Sequence, residues 1–426
     1  MPQISNLQER VKTAWAKLPD DLKAKLGPQI LIAQQHLLNI RSKAAPATTG
    51  PTHRELMMVQ SLLHGDQHGL LRSAAGPRVE GILTSVGPDG VVHFGGVDYD
   101  GTDPGWAYVI VALAETLGST PPFPSAGQVI QIPDDATLAL LGDWGGGNQF
   151  AQSVAAAVTA SAPPATSYYI HLGDVYYAGT NGGATLDSFE TTNFLNVWPG
   201  ASGRSFALNS NHDMYAHGTG YFGTTLAPGT AFGAQKGASF FALYNTSFRI
   251  VGLDSAYYSK EEELYQFGSL GDPAGPQAVF LQQQAAAAAS AGQNLIVMTH
   301  HNGLSLDGGN ATTLWGEVAN QLSALSGKSV CWYWGHEHAG AVYQPQKIND
   351  VKIYPRVCGH GCIPWGRAKN LHAPGVLWSE NQLLGPGLDY FVTNGYATLQ
   401  FNGASVNETF YNQSGAANWT GTWPPA

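Results

Sequence analysis

The sequence predicts an α/β fold with an N-terminal extension, and three observations predict it. From about residue 134, short apolar runs alternate with helical stretches, the pattern of strands and helices in turn. Those apolar runs end in residues of metal-ligand type, at the strand edge where ligands gather in α/β sheets. Hydrophobic residues make up 43% and charged residues 12% of the chain, so a large core can be buried and disorder is not expected.

In chain order, residues 4–43 read as helices. Ile4, Leu7, Val11, Ala14/Trp15 and Leu18 recur at helical spacing until Pro19, and Ile30, Ala33, Leu37 and Ile40 form a second face after Gly27-Pro28. A helical hairpin packed on the main body is the plain reading; a basic helix docking on a membrane surface or partner is the sharper one. Residues 44–52, AAPATTGPT, read as a linker. Residues 53–130 open like a helix and continue into two β-rich runs around Pro88-Asp89-Gly90, a hairpin signal. His64 and His68 in this region sit four apart, but without matching ligands nearby they read as surface helix residues.

The main body then runs ATLALLGD, a helix from about 148, SYYIHLGD, SFALNSNHD, FRIVGLDS, a Gln/Ala-rich helix from about 275, NLIVMTHH, a helix from about 312, and SVCWYWGHEH. Residues 350–426 are again β-rich. The expected division is a helical segment at 1–45, an accessory α+β region at 46–133 and the main domain at 134–426; a 426-residue chain has room for this, at roughly 100–200 residues per domain.

The net charge of −10 argues against a nucleic-acid-coating surface, which needs a basic face. A phosphate ester is still admissible as substrate, because bound cations reverse the local sign. Charge is uneven: residues 1–43 hold seven Lys/Arg against three Asp/Glu, net +4, and the rest holds thirteen against twenty-seven, net −14. The three cysteines, Cys331, Cys358 and Cys362, are too few for a disulfide framework, and pairing of Cys358 with Cys362 would need an oxidising compartment. The start lacks a signal-peptide core and no run of 18 apolar residues occurs, so the expectation is a cytoplasmic chain with no membrane partner.

Five strand ends carry the candidate chemistry: Asp143 in GDWGG, Asp174 and Tyr177 in GDVYY, Asn211-His212-Asp213, His300-His301, and His336/His338 in GHEH. Taken alone, a strand-end Asp caps a helix and an isolated His is a satisfied structural residue; five strands ending this way together do not fit that reading. In-line hydrolysis of a phosphate ester needs a nucleophile available near neutral pH and cations on the phosphoryl oxygens. Two metal ions about 3.5–4 Å apart meet both needs. Cations that close need an anionic bridge, which a carboxylate such as Asp174 can form. Imidazole ligands favour transition metals over Mg or Ca.

The ordered series GDxG, GDxxY, NHD, VxxH and GHxH, over roughly 135–345, resembles the calcineurin-like metallophosphoesterases. The resemblance implies a four-layer αββα sandwich. It also implies a first metal held by Asp143, Asp174, Tyr177 and His338, a second held by Asp174, Asn211, His300 and His336, and His212 as the catalytic residue on the substrate phosphate or leaving group. Most of that superfamily has a His two residues after the first Asp; here Gly145 stands there, and Tyr177 lies three after Asp174. This variant resembles the purple acid phosphatases and implies Fe3+ at the tyrosine site, with Fe2+, Zn2+ or Mn2+ at the second. The implied reaction is hydrolysis of a small-molecule phosphate ester, a monoester before a diester, by a metal-bound hydroxide. A catalytically silent metal-binding module and iron redox chemistry are the readings from other classes.

Ser210 replaces the usual Gly of the third motif, and the second active-site His of purple acid phosphatases has no evident match, His301 and His217 being the candidates. His360, between Cys358 and Cys362, and Tyr215 are near-site candidates. Asp254, His171 and Asp213 read as supporting groups.

Overall fold

The protein is seen in a computed structural model that describes residues 7–26, 83–86, 92–94, 104–183, 186–363, 365–366, 369–384 and 391–425. The His64/His68 pair, the 44–52 linker and the second N-terminal helical face lie outside the described residues. The expected hairpin is present, as β1 (Leu83–Val86) antiparallel to β2 (Val92–Phe94).

Two large sheets follow, their strands numbered in chain order. One has six strands: β4 (Thr137–Leu141), β5 (Tyr168–His171) and β6 (Ser205–Ala207) are parallel, and β17 (Gly395–Asn402), β18 (Ser405–Asn412) and β19 (Ala417–Trp423) extend it antiparallel from β4. The other has nine. Its centre is the parallel run β8 (Phe248–Gly252), β9 (Asn294–Thr299), β10 (Ser329–Trp334) and β13 (Val351–Cys358). Beyond β8 lie β7 (Phe241–Tyr244) and β3 (Gln128–Gln131); beyond β13 lie β11 (Gly340–Tyr343) and β15 (Val376–Ser379), with β12 (Gln346–Ile348) pairing β13. The edge strand β3 precedes residue 134. A small ribbon joins β14 (Trp365–Gly366) to β16 (Phe391–Val392).

The strands read as unbroken apolar runs because both of their faces are buried. Side chains alternate across a strand. In β9, Ile296 and Met298 point between the sheets while Leu295 and Val297 point to helices; in β4, Leu138 and Leu140 point between the sheets while Ala139 and Leu141 point outward. Three buried clusters therefore separate four layers, helix–sheet–sheet–helix, the αββα sandwich.

Helix α1 (Leu7–Lys17) and α2 (Tyr108–Glu115) belong to the extension. Residues 20–26 are also helical, and Val11, Ala14, Leu18, Leu22 and Leu26 are buried in the cluster that holds α2. Helix α3 (Gln149–Ser161) covers the six-stranded sheet and is capped by Asn148, whose Oδ1 accepts from the Ala151 amide at 2.9 Å. The four-residue α4 (Asn211–Met214) is capped in the same way by Ser210. Helix α5 (Pro276–Ala291) has proline in its first turn and ends at Gly292 with φ 67, and with α6 (Thr313–Asn320) it covers the nine-stranded sheet. No helix among the described residues is long and apolar enough to cross a membrane.

Candidate metal centre

Parallel strands put equivalent ends on one edge. The C-terminal ends of β4, β5 and β6 deliver Asp143, Asp174 and Asn211-His212; those of β9 and β10 deliver His300 and His336/His338. All of these side chains are buried, none more than 5% exposed. Asp143, Asp174 and His336 have positive φ, of 55, 78 and 66, a conformation costly for residues with a Cβ and concentrated at functional sites. Each follows a glycine. At Gly335 an added Cβ would lie 2.7 Å from the Asp143 carboxylate, so the turn and the carboxylate occupy one space.

Ligand atoms of Asp143, Asp174 and His300 lie within 4.8 Å of one another, and those of His300, His301 and His336 do likewise. The proton arithmetic at His300 is informative. Its Nδ1 lies 2.8 Å from the Leu172 carbonyl, which can only accept, so Nδ1 carries the proton. Nε2 of the neutral ring is then a lone pair, 2.7 Å from Asn211 Oδ1 and 3.2 Å from Asp174 Oδ1. Three acceptors converge with no proton between them. The Asn211 amide is held in this orientation by Nδ2 donating to Tyr215 Oη at 2.9 Å, and Tyr215 Oη accepts from Gln266 Nε2 at 2.6 Å. His336 Nδ1 is buried with no hydrogen-bond partner among the described residues. Buried polar atoms rarely go unsatisfied, and a cation would satisfy this set. The residues present therefore fit a metal.

A second set lies on the other side of Asp174. Tyr176 Oη donates to Asp174 Oδ2 at 2.9 Å and stands 3.4 Å from Asp143 Oδ1 and 3.1 Å from His338 Nε2; His338 Nε2 is 3.5 Å from Asp143 Oδ1. Asp174 thus offers Oδ1 to one donor set and Oδ2 to the other. Asp143 is fastened by Oδ2, which accepts from the His336 amide at 2.8 Å.

The structure places the hydroxyl of Tyr176 among Asp174, Asp143 and His338, and packs the ring of Tyr177, the expected ligand, elsewhere. Tyr177 packs its ring on Trp106 and Phe189, with centroids 5.5 and 5.8 Å away, in space left by the missing side chain of Gly105. Its carbonyl faces the site instead, 2.6 Å from His212 Nδ1. The two tyrosines stand in a bend beyond β5, and the Tyr176 hydroxyl is turned to Asp174 while the Tyr177 ring is turned to Trp106. Gly145 is explained separately: a Cβ there would lie 2.5 Å from the Asp174 carbonyl, so no histidine fits.

Electrostatics follow from burial and crowding. Burial and the Asp174 carboxylate push Asp143 well above the usual carboxylate range. Asp174 feels burial upward, but His212, His300 and His336 together pull it below its ordinary value. Burial lowers His212, His300 and His336, keeping the imidazoles in the neutral form that binds metals.

His301 is committed elsewhere: Nε2 donates to the Tyr265 carbonyl at 2.7 Å, and Nδ1 accepts from Ser255 Oγ at 2.9 Å. His217 is engaged by Thr116 Oγ1 at 2.7 Å and Glu261 at 3.1 Å. His171 packs against Phe194, and burial lowers its pKa to about 3. Asp254 accepts from Asn209 and from the Ala256 and Tyr257 amides. Asp213 accepts from Ser210 Oγ at 2.6 Å. Cys358 and Cys362 are free thiols, donating to the carbonyls of Leu140 and Asp143. Two contributors escaped the sequence reading. Tyr176 was legible only as a member of a tyrosine pair, and Trp106, which packs 5.8 Å from both Tyr176 and His212, lies far from every motif.

No family model and no curated protein matches the chain. Among solved structures it is similar to GAP50, the anchor in the inner membrane complex of Plasmodium, at 13% identity over 67% of this chain and 87% of that one, with a TM-score of 0.46. It is also similar to a dimetal phosphatase from Danio rerio, at 12% identity over 68% and 98% with a TM-score of 0.43. A third is a predicted phosphoesterase from Streptococcus pneumoniae, at 9% identity over 68% and 97% with a TM-score of 0.28.

Proposed function

We propose that the chain is a metal-dependent phosphoesterase with a binuclear centre, hydrolysing small phosphate esters and favouring monoesters. The observation that carries this reading is the split of the Asp174 carboxylate, with one oxygen in each of two separate donor sets. Asp143, Tyr176, His338 and Asp174 Oδ2 would hold the first ion; Asp174 Oδ1, Asn211, His300 and His336 would hold the second. Two such ions supply a nucleophile near neutral pH and neutralise charge on the phosphoryl oxygens.

Tyr176 takes the part first expected of Tyr177. Burial and the two carboxylates raise its pKa well above the ordinary phenol value, so without a cation it stays a neutral donor. As a phenolate, a hard anion, it would suit Fe3+ at the first position, with Fe2+, Zn2+ or Mn2+ at the second. His212 donates from Nδ1 to the Tyr177 carbonyl, which turns Nε2 inward, 3.9 Å from Asp174 Oδ2. From there, once protonated, it donates to the phosphoryl group or leaving oxygen.

The test pairs metal analysis with turnover. Protein loaded with iron and a divalent ion should hold two ions per chain and release phosphate from phenyl phosphate faster than from a diester analogue. Two bound ions without turnover on either substrate would favour the silent binding module, and failure to bind two ions would sink the binuclear reading.

A further inference from the structure

The ligands assigned to the second ion stand at the ends of β5, β6, β9 and β10, but part of what holds them comes from a loop outside these strands. Between β8 and α5 the chain runs irregularly, its helical piece the short 3-10 turn Glu261–Glu263. Leu264 and Tyr265 follow with φ of 50 and 53, two adjacent residues with a Cβ in the left-handed region. Both are buried. Such a backbone persists where its surroundings hold it. Two of the contacts around it lead to the metal centre. The Tyr265 carbonyl accepts from Nε2 of His301, the neighbour of His300, at 2.7 Å. Gln266 Nε2 donates to Tyr215 Oη at 2.6 Å, and Tyr215 Oη accepts from Asn211 Nδ2 at 2.9 Å. The Leu264 carbonyl lies 3.3 Å from the same Gln266 nitrogen and can only accept, which fixes the end of the amide that is turned to the tyrosine.

We infer that Gln266 is a positioning residue for the second metal ion, and that it acts through Tyr215 on the amide of Asn211. The inference rests on the binuclear phosphoesterase reading. The need for such a residue is local. Asn211 opens α4, which is four residues long and far too short to be stable by itself, so the helix does not fix where Asn211 stands. The terminal torsion of an asparagine has a broad, nearly two-fold profile, so its partners set the plane of the amide. On one side Oδ1 lies 2.7 Å from His300 Nε2, where the ion would bind both; on the other, Nδ2 is held by the Tyr215 oxygen. Tyr215 is fully buried beyond the last residue of α4, its ring 4.7 Å from that of His212, and the Gln266 amide fastens its oxygen from a distant part of the chain. Gln266 supplies no ligand. It belongs with the outer hydrogen-bond partners that orient ligands and whose removal weakens metal binding.

The test titrates the metal-stripped protein with Zn2+ against a chelating competitor, in the wild type, Gln266→Met, Tyr215→Phe and the double variant. Gln266→Met keeps the length of the side chain and Tyr215→Phe keeps the ring. Each single variant should weaken by about 10–100-fold the binding step that Asn211→Ala removes, and leave the other step unchanged. The double variant should lose no more than Tyr215→Phe alone, because Gln266 acts through Tyr215. Unchanged affinity in Gln266→Met overturns the inference and leaves the binuclear reading standing. A loss spread over both ions, or losses that add in the double variant, also overturn it, since a general loosening of the loop would do either. A wild type that binds a single ion overturns the binuclear reading instead. If Asn211→Ala removes that ion, weakening by Gln266→Met still sustains the role of Gln266, and no weakening ends it. A wild type that binds no ion ends both.

Discussion

Tyr176 and Tyr177 are chemically identical neighbours whose fates differ by direction alone. One hydroxyl lies among Asp174, Asp143 and His338, and the other ring fills a core beside Trp106. If iron occupies the first position, phenolate-to-Fe3+ charge transfer should colour the protein. Tyr176→Phe should then bleach it while Tyr177→Phe leaves the visible band in place; the reverse pattern in absorption spectra would return the ligand role to Tyr177. Asp174 divides its oxygens between both donor sets, so Asp174→Asn should lower occupancy of both ions, as counted by elemental analysis, whereas Asn211→Ala should deplete only one. His212 has its Nδ1 held by a backbone carbonyl and its Nε2 turned inward. His212→Ala should leave metal content near wild type and lower kcat by about 10²–10⁴-fold, the usual contribution of a positioned acid–base group. The loss should shrink for esters with good leaving groups, and an unchanged rate on a poor one would remove the assignment.

Between elements, a buried Arg–Glu contact ties the two sheets. Arg356 on β13 donates through Nε and Nη2 to Glu408 Oε2 on β18, at 3.1 and 3.0 Å, and Tyr333 Oη on β10 donates to Oε1 at 2.8 Å. Both charged partners are buried. Removing one partner of such a pair leaves an uncompensated charge, at a cost of about 3–5 kcal/mol, whereas removing both is far less harmful. Arg356→Met should therefore lose about that much stability in urea titrations, and Arg356→Met/Glu408→Gln should recover most of it. The strands themselves were legible because each is buried on two faces and reads as a short apolar run. The starts of α3, α5 and α6 at residues 149, 276 and 313 fall within a residue of those expected, because Asn148, Pro276 and Thr312 are local start signals. Pairing order was not legible: that β17 returns to lie against β4 depends on contacts more than 250 residues apart along the chain.

At the scale of the whole molecule, stability should respond to pH through a buried acid. Glu190 packs beside Asp213 under Thr225, and burial raises its pKa from 4.5 to about 7. The folded state thus holds this proton more tightly than the unfolded chain does. The contribution to stability is complete below about pH 4.5 and is lost as pH rises through 7. Asp213 is raised as well, with the same sign. Melting temperature should fall between about pH 5 and 8 by an amount that Glu190→Gln reduces, since the amide keeps a donor with no proton to lose. A variant with an unchanged profile would place the pH dependence elsewhere. The basic N-terminal segment pairs with the main body through Arg10–Asp187 and Lys25–Glu262 and with α2 through Lys17–Glu115, but exposed pairs of this kind contribute little. What seats α1 is the burial of Val11, Ala14 and Leu18.

Alone, the sequence determined the strand-and-helix alternation, the buried strands, and the strand ends on which Asp143, Asp174, Asn211, His212, His300, His336 and His338 stand. Those are local properties: periodicity, capping residues and glycines at tight turns act within a few positions of the chain. Only the tertiary structure decided which tyrosine enters the centre, because neighbouring side chains differ in direction and not in chemistry. It also decided that His301 and His217 are spoken for, that Trp106 covers His212, and that His360 borders a cavity shared with His338. Each of these depends on what another part of the chain places opposite, and no spacing along the sequence records it.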